Sequence, residues 1–147
     1  DNFWRVVLAG GKVRVIYAKQ DFDEDGPDGA GTFEMTSSDR FDDGEFHHVA
    51  VSNDIEEMEA RLYVDGELVG TIDVSEEIDL ASENFEGNAF ATITRAYTHP
   101  LILGGDDYQG EWLEGVVDEV SVYDGPLTSA EVTGIFEAKI AGKCLPE

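Results

Sequence analysis

Residues 60–74 read ARLYVDGELVGTIDV, and this stretch decides the fold. Leu62 and Val64 precede Asp65-Gly66, and Leu68 and Ile72 follow it, all at even spacing. A period of two lines one row of side chains along one face of a strand. Asp-Gly between two such runs is the signature of a two-residue type I′ turn, whose central residues both need positive φ. The stretch is therefore predicted to be a β-hairpin with one apolar face.

Outward from it the same alternation recurs. FWRVVLAGGKVRVIYA (3–18) is expected to form two strands around Gly10-Gly11, and GTFEMTS (31–37) a third. FHHVAVS (46–52), after the turn DDGE, reads as a buried strand. FATIT (90–94), PLILGG (100–105) and WLEGVVDEVSVY (112–123) supply the remaining strands, and residues 75–89 are polar and loop-like. One helix is predicted in PLTSAEVTGIFEAKIAG (126–142). Thr128 caps it, and Glu131 completes a capping box. Val132, Ile135, Phe136 and Ile140 recur at helical spacing, and Gly142 suits the stop. The expected fold is all-β, an antiparallel β-sandwich (jelly roll) with one short C-terminal helix. It fills residues 1–142, leaving 143–147 as a linker, and no internal repeat is present.

The chain has 147 residues, a length that suits one domain and buries enough surface to fold without disulfides. At 41% hydrophobic and 10% aromatic residues it is too apolar to be a disordered acidic tail. No apolar run is long enough to span a bilayer and no signal peptide is present, so a mature or excised segment is expected. Asp and Glu number 33 against 9 Lys and Arg, for a net charge of −24. Such a surface repels phosphate backbones and anionic headgroups, which excludes nucleic acid and membrane insertion as expectations. It fits a saline habitat or a calcium-rich exterior. Cys144 is the only cysteine, so no internal disulfide forms, and it reads as a tail thiol.

DFDEDGPDG (21–29) resembles half of a calcium loop. Asp21, Asp23 and Asp25 occupy the first, third and fifth positions of an EF-hand type loop, with Gly26 at the sixth. Thr32 stands where the bidentate Glu belongs, Glu34 comes two residues late, and strands rather than helices flank the loop. If an ion binds there, Asp21, Asp23, Asp25 and Glu34 are the expected ligands.

FDDGEFHHVAVS, RLYVDGELVGT, LILGGDD and LEGVVDEVSVYDGPLTSAEVTGIFEA, in that order, resemble the laminin-G-like jelly-roll domains of the concanavalin A-like lectin/glucanase superfamily. Pentraxins share the layout. The resemblance spans about residues 41–142 and implies a sandwich that recognises ligands through loops. It implies further that several strands precede the segment corresponding to 3–18, so N-terminal strands are expected to be missing here or supplied elsewhere. The ending AGKCLPE looks like a join to a further module of a larger chain or assembly.

The resemblance also frames the chemistry. Glucanases of the superfamily carry Glu-x-Asp-x-(x)-Glu on one strand. EIDLASE (77–83) offers Glu77, Asp79 and Glu83, but its last spacing is too long and it follows the YVDG hairpin instead of preceding it. No catalytic residues are therefore expected, and the chain is not expected to be an enzyme. Asp106 and Asp107 follow LILGG, where pentraxin-like members keep calcium-binding acids, so calcium is expected there. Two carboxylates about 4 Å apart repel by about 4 kcal/mol at an effective dielectric of 20, which a cation would relieve. Tyr108 and Trp112 are candidate platforms for a sugar ring, against the alternative that Trp112 begins a buried strand. Asp118 reads as a hydrogen-bonding framework residue. His47 and His48 read as framework residues on opposite faces of a strand, and His99 as a turn residue.

The combined expectation is a non-catalytic extracellular or cell-surface recognition or adhesion module. It would bind a glycan or extracellular protein, with calcium as the candidate cofactor. The alternative is a structural tile of a cell-surface layer or filament, and a glycoside hydrolase ranks third.

Overall fold

The computed structural model describes residues 3–19, 31–54, 56–73, 102–106 and 111–138. Strands β1 (Phe3–Ala9), β2 (Lys12–Lys19) and β3 (Gly31–Thr36) form one antiparallel sheet in chain order. A second antiparallel sheet contains β4 (Val49–Asp54), β5 (Glu59–Val64) and β6 (Glu67–Asp73), also in chain order. A two-residue ladder joins β7 (Gly105–Asp106) to β8 (Glu111–Trp112), and helix α1 runs from Ser129 to Ala138. The fold is a small β-sandwich with one short helix, as its alternating sequence predicts.

Turn chemistry sets the registers. Gly10 and Gly11 hold φ of 59° and 80°, and Asp65 and Gly66 hold 51° and 82°, the paired positive angles of type I′ turns. Alternation then sorts the faces. Val13, Val15 and Tyr17 of β2 and Met35 of β3 meet Ala60, Leu62 and Val64 of β5 in one buried cluster. Tyr17 carries its hydroxyl across the core to donate to Asn53 Oδ1 at 2.5 Å. Burial is the larger influence on that phenol and pushes its pKa up, against a smaller lowering by Asn53.

The opposite face of the second sheet carries the helix. Tyr63 is buried there, its hydroxyl 3.1 Å from Ser129 Oγ. Ser52 Oγ donates to the Leu127 carbonyl at 2.9 Å, and Thr133 Oγ1 donates to the Gly66 carbonyl at 3.0 Å. Val132 is the helix residue that is wholly buried. The capping box forms as its spacing predicts: Thr128 N–H donates to Glu131 Oε2 at 2.8 Å, and Glu131 N–H to Thr128 Oγ1 at 3.3 Å.

Four expectations need correction. Leu68 is not in the core. Leu62 pairs with Gly70 and Tyr63 with Leu68, so Val69 is an extra residue in β6. The two-residue turn sets Leu68 opposite Tyr63, away from the core face, where it is exposed, while Val69 packs on the core cluster and the bulge brings Ile72 back to the core face opposite Ala60. The strand of 46–52 begins only at Val49, with Phe46 exposed and β4 largely half-buried. Within 102–105, the described part of 100–105, Gly105 alone belongs to a strand. Within 112–123 only Trp112 does, and Leu113–Tyr123 stand exposed. A strand needs a continuous ladder, and among the described residues the one that reaches this stretch ends at the Leu113–Gly104 bond. The segments 75–89 and 90–94, and the boundary at 142, lie outside the described residues.

Candidate functional site

The β7–β8 ladder, called the rim below, is a sheet separate from the two larger ones. Gly105 pairs with Trp112 and Asp106 with Glu111, and Leu113 N–H extends the ladder by donating to the Gly104 carbonyl at 2.9 Å. Gly104 turns the chain into the ladder at φ 83°, a conformation that suits glycine. The register therefore sets Trp112 on the same face of the ladder as Gly105, and the Asp106–Glu111 pair at the alternate position. The Trp112 side chain is 65% exposed, so it does not begin a buried strand. Asp107 and Tyr108, which complete the sequence-derived site, lie outside the described residues.

The acidic loop holding Asp21, Asp23 and Asp25 also lies outside them. Glu34 sits on β3 opposite Ile16, and its Oε1 accepts from Arg14 Nη2 at 2.6 Å. A cation drawing on Glu34 must compete with that guanidinium. Asp118 Oδ1 accepts from the Glu119 N–H at 2.8 Å, a local framework bond of the expected kind. Glu77, Asp79, Glu83, His99 and Cys144 fall outside the described residues. Among the described residues, no three His, Cys, Asp or Glu side chains converge on a point that could hold a metal ion.

A charged cluster at the turn of the β5–β6 hairpin was not foreseen. Asp65 Oδ1 accepts from the His48 backbone N–H at 2.9 Å, while Asp65 N–H donates to the His48 carbonyl at 2.8 Å. Its second oxygen, Oδ2, lies 2.7 Å from His47 Nδ1, and His47 Nε2 lies 3.0 Å from Asp43 Oδ1. Phe41 meets the His47 ring edge-on at 5.0 Å between centroids. Asp43 also accepts from the Glu45 N–H at 3.0 Å, the larger of the contacts that hold its carboxyl below the usual range. His48 turns the other way, its ring 6.2 Å from that of Phe136 on α1. The sequence signal was present in DDGE, HH and YVDG, but no spacing rule links a turn acid to a histidine 18 residues away.

The described strands define a small β-sandwich, an architecture that fits a binding module. The chain belongs to the concanavalin A-like lectin/glucanase superfamily: a laminin-G-type family model matches residues 2–133. The match takes in β1–β3, upstream of the stretch that carries the resemblance in sequence. No curated protein matches the chain. One solved structure resembles it, residues 221–444 of an S-layer domain-containing protein from Clostridium thermocellum, at 19% identity and a TM-score of 0.41. That alignment covers 92% of this chain and 63% of the other, and a likeness at this level carries no functional argument.

Proposed function

We propose that this domain is a non-catalytic recognition or adhesion module working at the cell surface or outside the cell. It engages a glycan or an extracellular protein through the β7–β8 rim. The observation that carries this reading is Trp112, 65% exposed and laddered opposite Gly105, a residue with no side chain to cover it. An exposed indole offers a flat apolar face to a sugar ring or a partner side chain. Tyr108 adds a second ring in sequence. Superfamily membership over residues 2–133 supports a binding module, and among the described residues no helix is long and apolar enough to cross a membrane.

Calcium is the second element of the proposal. Asp106 and Asp107 are its proposed ligands at the rim. Asp21, Asp23, Asp25 and Glu34 form the proposed second site, where Glu34 exchanges Arg14 for the ion. Screening immobilised glycans and extracellular proteins, with and without a chelator, tests both elements. Retention that the chelator abolishes supports them together, retention that survives it removes calcium, and no retention in either arm removes the lectin reading.

The alternative, a structural tile of a surface layer or filament, is favoured by one observation. The outer strand β1 exposes Val6 and Leu8 at a sheet edge. The solution size of the chain discriminates between the two.

A further inference from the structure

A cleft opens beside the β7–β8 ladder, between residues 103–104 and the stretch 113–120. Its volume is about 390 Å³, room for a few side chains. The bond from the Leu113 N–H to the Gly104 carbonyl ties its two walls together. Glycines keep it open. A Cβ at Gly104 would meet nothing within 4 Å, and one at Gly115 would meet only Leu113, at 3.8 Å.

Two chemistries meet in this cleft. Leu103, Leu113, Val117 and Val120 line it, and Leu103 and Val120 are 57% and 50% exposed. Contiguous apolar surface left in water is the mark of an interaction site. Asp118 and Glu119 belong to the same lining, which contains no Lys or Arg. In sequence no base occurs between Arg95 and Lys139. Asp118 Oδ1 accepts from the Glu119 N–H, which leaves Oδ2 for an incoming donor.

Each chemistry excludes one class of occupant. A sugar would press hydroxyls against leucine and valine, where they find no partners. A wholly apolar segment would strip water from Asp118 and return no hydrogen bond. A lysine meets both demands, since its long aliphatic stem lies on apolar walls while its ammonium reaches a carboxylate.

We infer that this cleft docks a protein segment presenting a lysine between aliphatic side chains. The ammonium bonds Asp118 Oδ2, and the stem and its flanking side chains cover Leu103, Leu113, Val117 and Val120. The net charge of −24 draws such a segment in from a distance, and the apolar walls select among the cations that arrive. The inference rests on the recognition reading of the rim and names the partner's chemistry.

Calorimetry of the full chain with three capped peptides tests it. The probes are Leu-Lys-Leu, the same peptide with norleucine at its centre, and the same peptide with diaminopropionate, which keeps the charge on a short stem. The lysine peptide is expected to bind saturably, and the other two about tenfold or more weakly. Asp118→Asn still accepts from the Glu119 N–H and is expected to bring the lysine peptide down to the norleucine level. Gly115→Leu fills the cleft from a position with open space and is expected to abolish binding of all three. Glu56→Gln removes an equal charge on the β4–β5 turn and is expected to change nothing. All three positions are exposed, so the variants should share the wild-type unfolding midpoint. Equal weakening in Asp118→Asn and Glu56→Gln would mean that net charge alone attracts the peptide, and overturns the inference. So does binding that survives Gly115→Leu. Absence of lysine-peptide binding at millimolar concentration overturns it as well, and a glycan then retained through Trp112 would leave the recognition reading standing without this cleft.

Discussion

His47 stands between two carboxylates, with Nδ1 2.7 Å from Asp65 Oδ2 and Nε2 3.0 Å from Asp43 Oδ1. Carboxylates accept and do not donate, so both contacts are hydrogen bonds only when both ring nitrogens carry protons. The imidazolium is thereby favoured. The bond to Asp65, then that to Asp43, hold the His47 pKa above its ordinary 6.5. A charged bridge thus ties the 42–47 turn to the tip of the β5–β6 hairpin.

A pH dependence follows with a definite sign. The folded pKa of His47 lies above its unfolded value, so the stabilisation is complete below about pH 6.5 and is lost as pH rises through the folded pKa. Urea unfolding at a series of pH values should show this decline in the wild type and not in His47→Gln. Equal pH dependence of the two proteins would show that the bridge contributes nothing.

Asp65→Asn separates the turn from the charge. Asparagine tolerates the positive φ of 51° and still accepts from the His48 N–H, but it places no negative charge beside His47. NMR titration should find the His47 pKa moved down toward the ordinary value. Asp65→Ala also loses the backbone bond and should be less stable than Asp65→Asn by about 1–2 kcal/mol. Identical stabilities would contradict the capping role of the Asp65 side chain.

The helix start gives a third expectation. The Thr128 backbone N–H, then its hydroxyl, hold the Glu131 carboxyl below its usual pKa. Thr128→Ala should cost about 1 kcal/mol in denaturant unfolding, because it strips the N-cap oxygen from the Glu131 N–H. Glu131→Gln, which can still accept, should cost less. The reverse order would mean that charge, not the cap hydroxyl, secures the helix.

Leu62 and Leu68 look equivalent in sequence and are not in the structure. Leu62 is fully buried, while the two-residue turn places Leu68 opposite Tyr63 on the other face, where it is exposed. Leu62→Ala should therefore lose about 2–5 kcal/mol, and Leu68→Ala no more than about 0.5 kcal/mol. Similar losses at both positions would contradict the bulged register.

This pair also marks how far the sequence could be read. Hairpins at 10–11 and 65–66 and the Thr128–Glu131 cap were legible because each rests on residues adjacent in the chain. The Val69 bulge was not, since one extra residue puts Ile72 on the face opposite to that of Leu68 although the two are evenly spaced. Nor was the exposure of 113–123, whose valines announce β propensity, whereas a strand needs a partner that no local pattern specifies. At the rim, the acid of GGDD was legible, but its place in a ladder opposite Glu111 was not. The exposure of Trp112 depends on what the ladder leaves uncovered, and that is a tertiary property.

Recognition at the β7–β8 rim is tested most directly by comparing wild type and Trp112→Ala on the same immobilised glycans and extracellular proteins. The indole is mostly in solvent, so the two proteins should share one unfolding midpoint. The wild type should retain a ligand that the variant binds about tenfold more weakly or not at all. A ligand held equally by both would contradict recognition at this rim.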